Sequence, residues 1–152
     1  MNKLSGHAGL EADLAGRLGH VIKRAEQALM AEKGRTLREF DLTVPQYAAM
    51  VVLYYLPGAS GAQLARICAV TPQTMATVLS NLDVKGLIER EPSSVHNKVL
   101  VTRLTRAGRT LIKRADAKTR LVEERLWDAY SPDEREQLTS LLERAIKTLN
   151  GE

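Results

Sequence analysis

Apolar residues return every three or four positions along most of this chain. Leu10, Leu14, Leu18, Val21, Ala25 and Leu29 draw a single stripe through about 10–38, the spacing of a helix with one buried face. Gly16 and Gly19 lie inside the stripe, and each weakens a helix by about 1 kcal/mol relative to Ala. Close packing or a bend is therefore expected at those positions, and Gly34 marks a weakening or break near the end. Thr43 then precedes Val44-Pro45, a hydroxyl cap followed by an early proline. The helix it predicts runs to about Leu56 and is apolar nearly all round. Tyr47, Met50, Val51 and Tyr54 share one side, and Ala48, Val52 and Tyr55 another. Such a helix is expected to be buried on two sides, and Pro57-Gly58 ends it.

Three shorter segments follow. Ser60 caps a helix over about Gly61–Cys68, with Leu64, Ile67 and Cys68 expected to face inward. Ala69-Val70 makes a turn, and Thr71 with Pro72 starts a second helix. Its Met75, Val78, Leu79 and Leu82 fall at i, i+3, i+4 and i+7, and Gly86 stops it. Leu87–Arg90 and Val99–Leu104 then read as two strands joined by a polar tip, Pro92–Asn97. Thr105 opens a long helix to about Tyr130. Ser131-Pro132-Asp133-Glu134 is a capping box before a last helix whose Leu138, Leu141, Leu142, Ala145, Ile146 and Leu149 share one face. No repeat or linker interrupts the chain. One domain spanning 1–152 is expected: mainly α with a small β-hairpin wing. A winged helix-turn-helix occupies 43–105, with a recognition helix at about 72–85 and a wing at about 87–104. The helices at 10–38 and 106–150 flank it.

Composition narrows the class. The 152 residues are 44% hydrophobic and 26% charged, as in an ordinary soluble domain with a core of its own. Only six residues are aromatic, so Leu, Val, Ile and Ala must build that core. No stretch approaches the roughly 18 uninterrupted apolar residues of a membrane span, and no membrane partner is expected. Met1–His7 has no apolar run and does not read as a signal peptide. The single cysteine, Cys68, forbids an intramolecular disulfide and fits a reducing compartment, so a cytoplasmic protein is expected. The net charge of +4 leans weakly toward an anionic partner. Seven basic and three acidic residues between Arg106 and Arg125 concentrate that charge on one helix.

The chemistry points to DNA. The buried stripe of the 72–85 helix leaves Gln73, Thr77 and Ser80 on the opposite side, flanked by Thr71, Thr74, Ala76 and Asn81. These side chains are short and uncharged. A helix fits the major groove, where Gln or Asn can pair with adenine and Thr or Ala methyls can touch thymine. A plain solvated face is the alternative, but such faces are more often rich in Lys and Glu. Lys98 beside the hairpin tip, with Arg90 and Arg103 nearby, could reach phosphates or a minor groove. The same cations could simply keep an exposed hairpin soluble, and Arg90 could pair with Glu89 or Glu91.

Four stretches in order make the chain resemble the MarR family of bacterial regulators: Leu42-Thr43-Val44-Pro45-Gln46-Tyr47; Leu64-Ala65 with Val70-Thr71-Pro72-Gln73-Thr74; Leu82-Asp83-Val84-Lys85-Gly86-Leu87-Ile88-Glu89-Arg90; and Leu104-Thr105-Arg106-Ala107-Gly108. The resemblance covers about Leu10 to Leu149. It implies an obligate homodimer whose first and last two helices intertwine as a dimerisation frame. It also implies a double-stranded, pseudo-palindromic DNA operator, and repression relieved when a small aromatic or anionic molecule binds between frame and reading head. Two features depart from the family. His96-Asn97-Lys98 stands where relatives carry Asp-x-Arg, and Lys does not reproduce the guanidinium fork. Thr77 stands near where relatives often have Arg.

Other residues admit two readings each. Cys68 lies beside Ile67 on an apolar side and reads as structural rather than as a redox switch, which would need an electropositive, partly exposed setting. His20 is either an effector or dimer-interface residue or a partly solvated helix histidine. Met50, Tyr54 and Tyr55 either line a ligand cavity or form ordinary core. His7, His20, His96 and Cys68 are too scattered for a metal set, and no cofactor is expected. A phosphate loop, nucleophile elbow or paired carboxylate site is missing from the sequence, so an enzyme is not expected. The alternative to a DNA-binding regulator is a winged-helix protein-interaction module that does not bind DNA.

Overall fold

The computed structural model describes residues 6–151. Of the N-terminal stretch read above, Met1–Ser5 lie outside the described residues. Seven helices and three short strands follow one another in this part of the chain. They are α1 (His7–Ala15), α2 (Leu18–Leu37), a 3-10 turn (Arg38–Phe40), α3 (Val44–Tyr55), β1 (Ala59–Ser60), α4 (Gly61–Ile67), α5 (Pro72–Val84), β2 (Ile88–Pro92), β3 (Leu100–Leu104), α6 (Arg106–Asp128) and α7 (Pro132–Asn150). The strands form an antiparallel sheet in the order β1-β3-β2.

Side-chain caps set most of the boundaries. The Thr43 hydroxyl accepts from the Gln46 N–H while the Gln46 amide oxygen accepts from the Thr43 N–H, a closed box at the start of α3. Ser60 with Gln63 and Ser131 with Glu134 repeat that box on α4 and α7. Each box satisfies two backbone donors that the first helical turn would otherwise leave open. Thr71 and Thr105 cap α5 and α6 through the N–H groups of Thr74 and Gly108.

The core is the space enclosed by α3, α4, α5, the start of α6 and the inner side of the sheet. Ala49, Met50 and Leu53 of α3 meet Leu64 of α4, Met75, Leu79 and Leu82 of α5, Ile88 and Leu104 of the sheet, and Ile112 and Ala115 of α6. Thr105 fastens this head to α6. Its hydroxyl donates to the Gly86 carbonyl at 2.8 Å and accepts from the Gly108 N–H at 3.0 Å. Its own N–H donates to the Leu87 carbonyl at 3.0 Å.

Several expectations are corrected. The 10–38 stripe is two helices, not one. Gly16 ends α1, Arg17 is extended and its guanidinium folds back onto Asp13. Gly19 meets nothing that would call for a glycine, and α2 continues through Gly34, which does not take a left-handed φ, to Leu37. Ile67 turns outward, half exposed, and Ala65 takes the inward place beside Leu64. Tyr55 is 67% exposed, so it departs from the expected second buried side of α3, on which Ala48 and Val52 are half-buried. The first strand starts one residue later and ends two residues later than expected, at Ile88–Pro92, and the second starts one residue later, at Leu100–Leu104. β1 pairs Ala59 with Thr102 and Ser60 with Val101; two residues are too few for a period-2 pattern to be visible.

Outside the head, much apolar surface is uncovered. Leu10, Leu18, Val21 and Ile22 on α1 and α2, Leu121, Leu126 and Trp127 on α6, and Leu138, Leu142 and Ile146 on α7 are exposed. Among the described residues α7 has no buried side chain. Antiparallel ion pairs bind α2 and the 3-10 turn after it to α6 on another side: Glu39 to Lys118, Lys33 to Glu123, and Glu32 to Arg125 at 3.1 Å. The guanidinium groups of Arg35 and Arg125 hold the Glu32 carboxyl below the usual carboxylate range. No helix among the described residues is long and apolar enough to cross a membrane.

The junction of head and α6 yields a stability test. A Cβ on Gly108 would stand 2.1 Å from the Leu87 carbonyl oxygen. Backbone cannot yield as a flexible side chain can, so Gly108→Ala is expected to lower unfolding free energy by about 1–3 kcal/mol. Urea unfolding followed by circular dichroism measures it. An unchanged midpoint would mean that α6 is not seated against the head in this way.

Candidate nucleic-acid interface and effector cavity

The α4–α5 pair is a helix-turn-helix. Ala69 makes its turn in the left-handed backbone region (φ 53°), and the Val70 N–H bonds the Ala65 carbonyl at 3.0 Å. Met75, Val78, Leu79 and Leu82 anchor α5 by its inner side. Gln73, Thr74, Thr77, Ser80 and Asn81 all emerge exposed, together with Thr71 at the cap. Two hydroxyls are already engaged locally: Thr71 donates to Thr74 Oγ1 at 2.9 Å, and Thr77 donates to the Gln73 carbonyl at 3.3 Å. The amides of Gln73 and Asn81 and the Ser80 hydroxyl are the freer groups on this side.

The far end of α5 is held by a residue that periodicity did not single out. Lys85 caps α5 and reaches the corner before α3. Its ammonium contacts the Asp41 carboxylate at 3.0 Å, donates to the Asp41 carbonyl and lies 3.5 Å from Gln46 Oε1. Asp41 is itself left-handed (φ 52°), which aims its carbonyl at Lys85. The pose of the exposed α5 face thus depends on an ion pair 44 residues apart in sequence.

The hairpin is built less simply than its charges suggest. Arg103 Nε donates to Glu91 Oε1 at 3.2 Å across the β2–β3 ladder. Its guanidinium also lies flat against Gly58, where a Cβ would come within 3.3 Å of it. Arg103 therefore ties the wing to the turn after α3, and Glu91 is engaged by Arg103 rather than by Arg90. Arg90 and Lys98 are exposed. Ser93, which the sequence reading passed over, shapes the tip: its Oγ accepts from the N–H groups of Val95 and His96, each at 3.2 Å.

A cavity of about 260 Å³ opens between α3 and α6, with Tyr54, Tyr55, Lys113, Asp116 and Arg120 in its wall. The two tyrosine rings meet edge to face at 5.2 Å, and the Lys113 ammonium stands 5.9 Å from the Tyr54 ring. Asp116 is the centre of its polar side. One carboxylate oxygen accepts from the Tyr47 hydroxyl at 2.7 Å, the other from Arg120 Nε at 2.7 Å. Burial and the neighbouring Asp116 carboxylate push the Tyr47 phenol well above its ordinary range. Of the candidate ligand residues, Tyr54 and Tyr55 meet in this cavity. Met50 is fully buried in the core, and His20 lies half-buried on α2 outside the cavity wall. Lys113, Asp116 and Arg120 were missed. Their spacing of three and four places them on one helix face, the signal that could have grouped them. Cys68 is half-buried, and burial raises its thiol above the ordinary range, the opposite of an activated thiolate.

Comparison with known proteins gives consistent relatives. A profile described as "MarR family" matches residues 40–98. The HTH-type transcriptional repressor Rv2887 of Mycobacterium tuberculosis is 34% identical over 127 residues, covering 84% of this chain and 91% of the relative. A crystal structure of Rv2887 in complex with p-aminosalicylic acid superposes with a TM-score of 0.65 at 33% identity, over 86% of this chain and 98% of that one. The transcriptional repressor CouR bound to a 23-mer DNA duplex shares the fold, with a TM-score of 0.79 at 24% identity over 88% and 95% of the two chains.

The Tyr47–Asp116 bond has a pH signature. A phenol whose ionisation is raised in the folded state contributes stability that is complete below its unfolded value and is lost as pH rises above it. Tyr47→Phe should remove the last step of the alkaline phenolate titration followed by ultraviolet absorbance. It should also flatten the fall of thermal stability above the ordinary phenol range of about 10. An unaltered last step would mean that Tyr47 does not donate to Asp116 in solution.

Proposed function

The chain belongs to the MarR family of transcriptional regulators, and from that premise we propose that it is a homodimeric repressor of a pseudo-palindromic operator, released by a small aromatic or anionic ligand. The observation that carries this reading is the exposed face of α5. Five short uncharged side chains project from a helix whose other side is locked into the core, which is what reading base edges in a major groove requires.

Roles divide by reach and chemistry. Gln73 and Thr77 read bases, with Thr74, Ser80 and Asn81 beside them, while Thr71 and the first turn of α5 meet the backbone. Lys98 and Arg90 contact phosphate from the wing. Arg103 contributes charge from its place against Glu91 and Gly58, chiefly by holding the wing at its angle. The uncovered apolar faces of α1, α2, distal α6 and α7 support a second copy of the chain as partner. A patch of that extent is costly to leave in water, and obligate interfaces commonly bury over about 2,000 Å². Two reading heads then stand about 34–36 Å apart to meet successive major grooves. The cavity between α3 and α6 lies where head and frame join, so a ligand there can change that separation. Aromatic acids are the class it fits, through Lys113 and the tyrosine rings; the salicylate-type ligand of Rv2887 supports this choice. Such a regulator acts in the cytoplasm, on DNA, without cofactor or catalysis.

The alternative, a winged-helix module that binds protein and not DNA, draws on one observation: a wing whose Arg103 is already engaged and whose tip offers Lys98 in place of an arginine.

Two measurements test the reading. Against a duplex selected by the protein from a random pool, Gln73→Ala should cost about 1–3 kcal/mol and relax sequence preference. Lys98→Ala should weaken matched and scrambled duplexes alike and lower the salt slope by about one unit. Identical behaviour of both variants on both duplexes would refute the division of roles, and failure to select any duplex would favour the protein-binding module. Truncation after Tyr130 should give aggregated or unfolded chain, read by light scattering and circular dichroism. A stable folded monomer would refute the dimer frame.

A further inference from the structure

We infer that Asp116 is the specificity-determining residue of the α3–α6 cavity, a resident carboxylate that restricts it to singly charged, single-ring acids. The inference rests on the effector reading above and adds to it which acids are refused, and why.

The charges facing the cavity come from three side chains of α6. Lys113 and Arg120 are cationic and Asp116 is anionic, so the wall carries one net positive charge. Both cations are not equally available. Arg120 is already paired with Asp116 through Nε at 2.7 Å, whereas Lys113 faces the Tyr54 ring. A ligand carboxylate therefore finds Lys113 first, with its ring against Tyr54 and Tyr55. A second carboxylate on the same ring would be carried toward Arg120 and would meet Asp116 there. Two carboxylates about 4 Å apart repel even in bulk water, and more strongly where the wall excludes solvent.

Asp116 cannot easily turn aside to relieve that repulsion. Its other oxygen is held by the Tyr47 hydroxyl at 2.7 Å, and Tyr47 is fixed on α3 with its ring packed against the core. The volume of about 260 Å³ falls just under the range of about 300–1,000 Å³ typical of drug-sized sites, which suits one ring with small substituents. Because Tyr47 belongs to the reading head and Arg120 to the frame helix, the carboxylate that sets selectivity also ties those two parts together.

Isothermal titration calorimetry with benzoate and isophthalate separates the possibilities. The readout is the ratio of their affinities, which a general loosening of the fold would leave in place. Wild-type protein should bind benzoate and discriminate against isophthalate. Asp116→Asn keeps the shape and the acceptor for Tyr47 but raises the net wall charge to two. It should shift the ratio toward isophthalate on the order of tenfold. Asp116→Ser carries the same expectation should the first variant fail to fold, and Asp116→Glu, which restores the charge, should restore the discrimination. Benzoate binding with a ratio unmoved by the neutral variants, or isophthalate binding to wild type as well as benzoate, would overturn the role of Asp116 and leave the effector reading standing. Binding of neither acid to any variant would overturn both.

Discussion

Burial of Ala49, Met50 and Leu53 on one face of α3 organises everything else in the chain. That face contributes to a single core shared with α4, α5, the sheet and the first turns of α6. Close-packed interiors transmit displacement rather than absorb it, so α5 can present a defined outer surface only because its inner residues interlock with α3. The same helix leaves Tyr54 and Tyr55 on its other side, beside α6. One helix thus carries both the support of the reading surface and one wall of the cavity.

Charge refines what packing has placed. Lys85 on Asp41 orients the end of α5, Arg103 on Glu91 and Gly58 orients the wing, and Asp116 joins Tyr47 to Arg120. Exposed ion pairs of this kind stabilise little, about 0–1 kcal/mol each. Their value here is geometric, since each links elements distant in sequence at a place where orientation matters. The ion pairs between α2 and α6 act likewise, aligning two helices whose remaining apolar sides stay uncovered.

Local signals in the sequence were sufficient for most boundaries, because capping chemistry and helical periodicity act within a few residues. Thr43, Ser60, Thr71, Thr105 and Ser131 each cap the helix they predict, and the α5 stripe is buried as its spacing requires. The outward set Gln73, Thr74, Thr77, Ser80 and Asn81 follows from that stripe by elimination. What local reading missed was decided by neighbours far along the chain. Ile67 is left half exposed because α3 and α5 pack against the α4 face that carries Leu64 and Ala65. A two-residue strand at Ala59–Ser60 exists only because β3 is there to pair with it. The break at Gly16–Arg17 was legible as a choice between a bend and close packing, and the absence of any neighbour at Gly19 decides against packing.

The cavity shows the division most clearly. Tyr54 and Tyr55 are legible as cavity candidates because they lie on a helix apolar nearly all round, and ligand cavities are lined mostly by apolar and aromatic side chains. Met50 satisfied the same pattern but lies in the core, and periodicity cannot distinguish a face turned to a core from one turned to a cavity. Lys113, Asp116 and Arg120 look in sequence like the solvated face of a basic helix. The crossing of α6 over α3 turns them into a charged wall, and the tyrosine 69 residues earlier pins the aspartate beside Arg120. Composition, caps and periodicity determined the elements and the face of α5. Tertiary packing alone determined which of the charged residues stand together, because electrostatic partnership depends on distance in space and leaves no period in the chain.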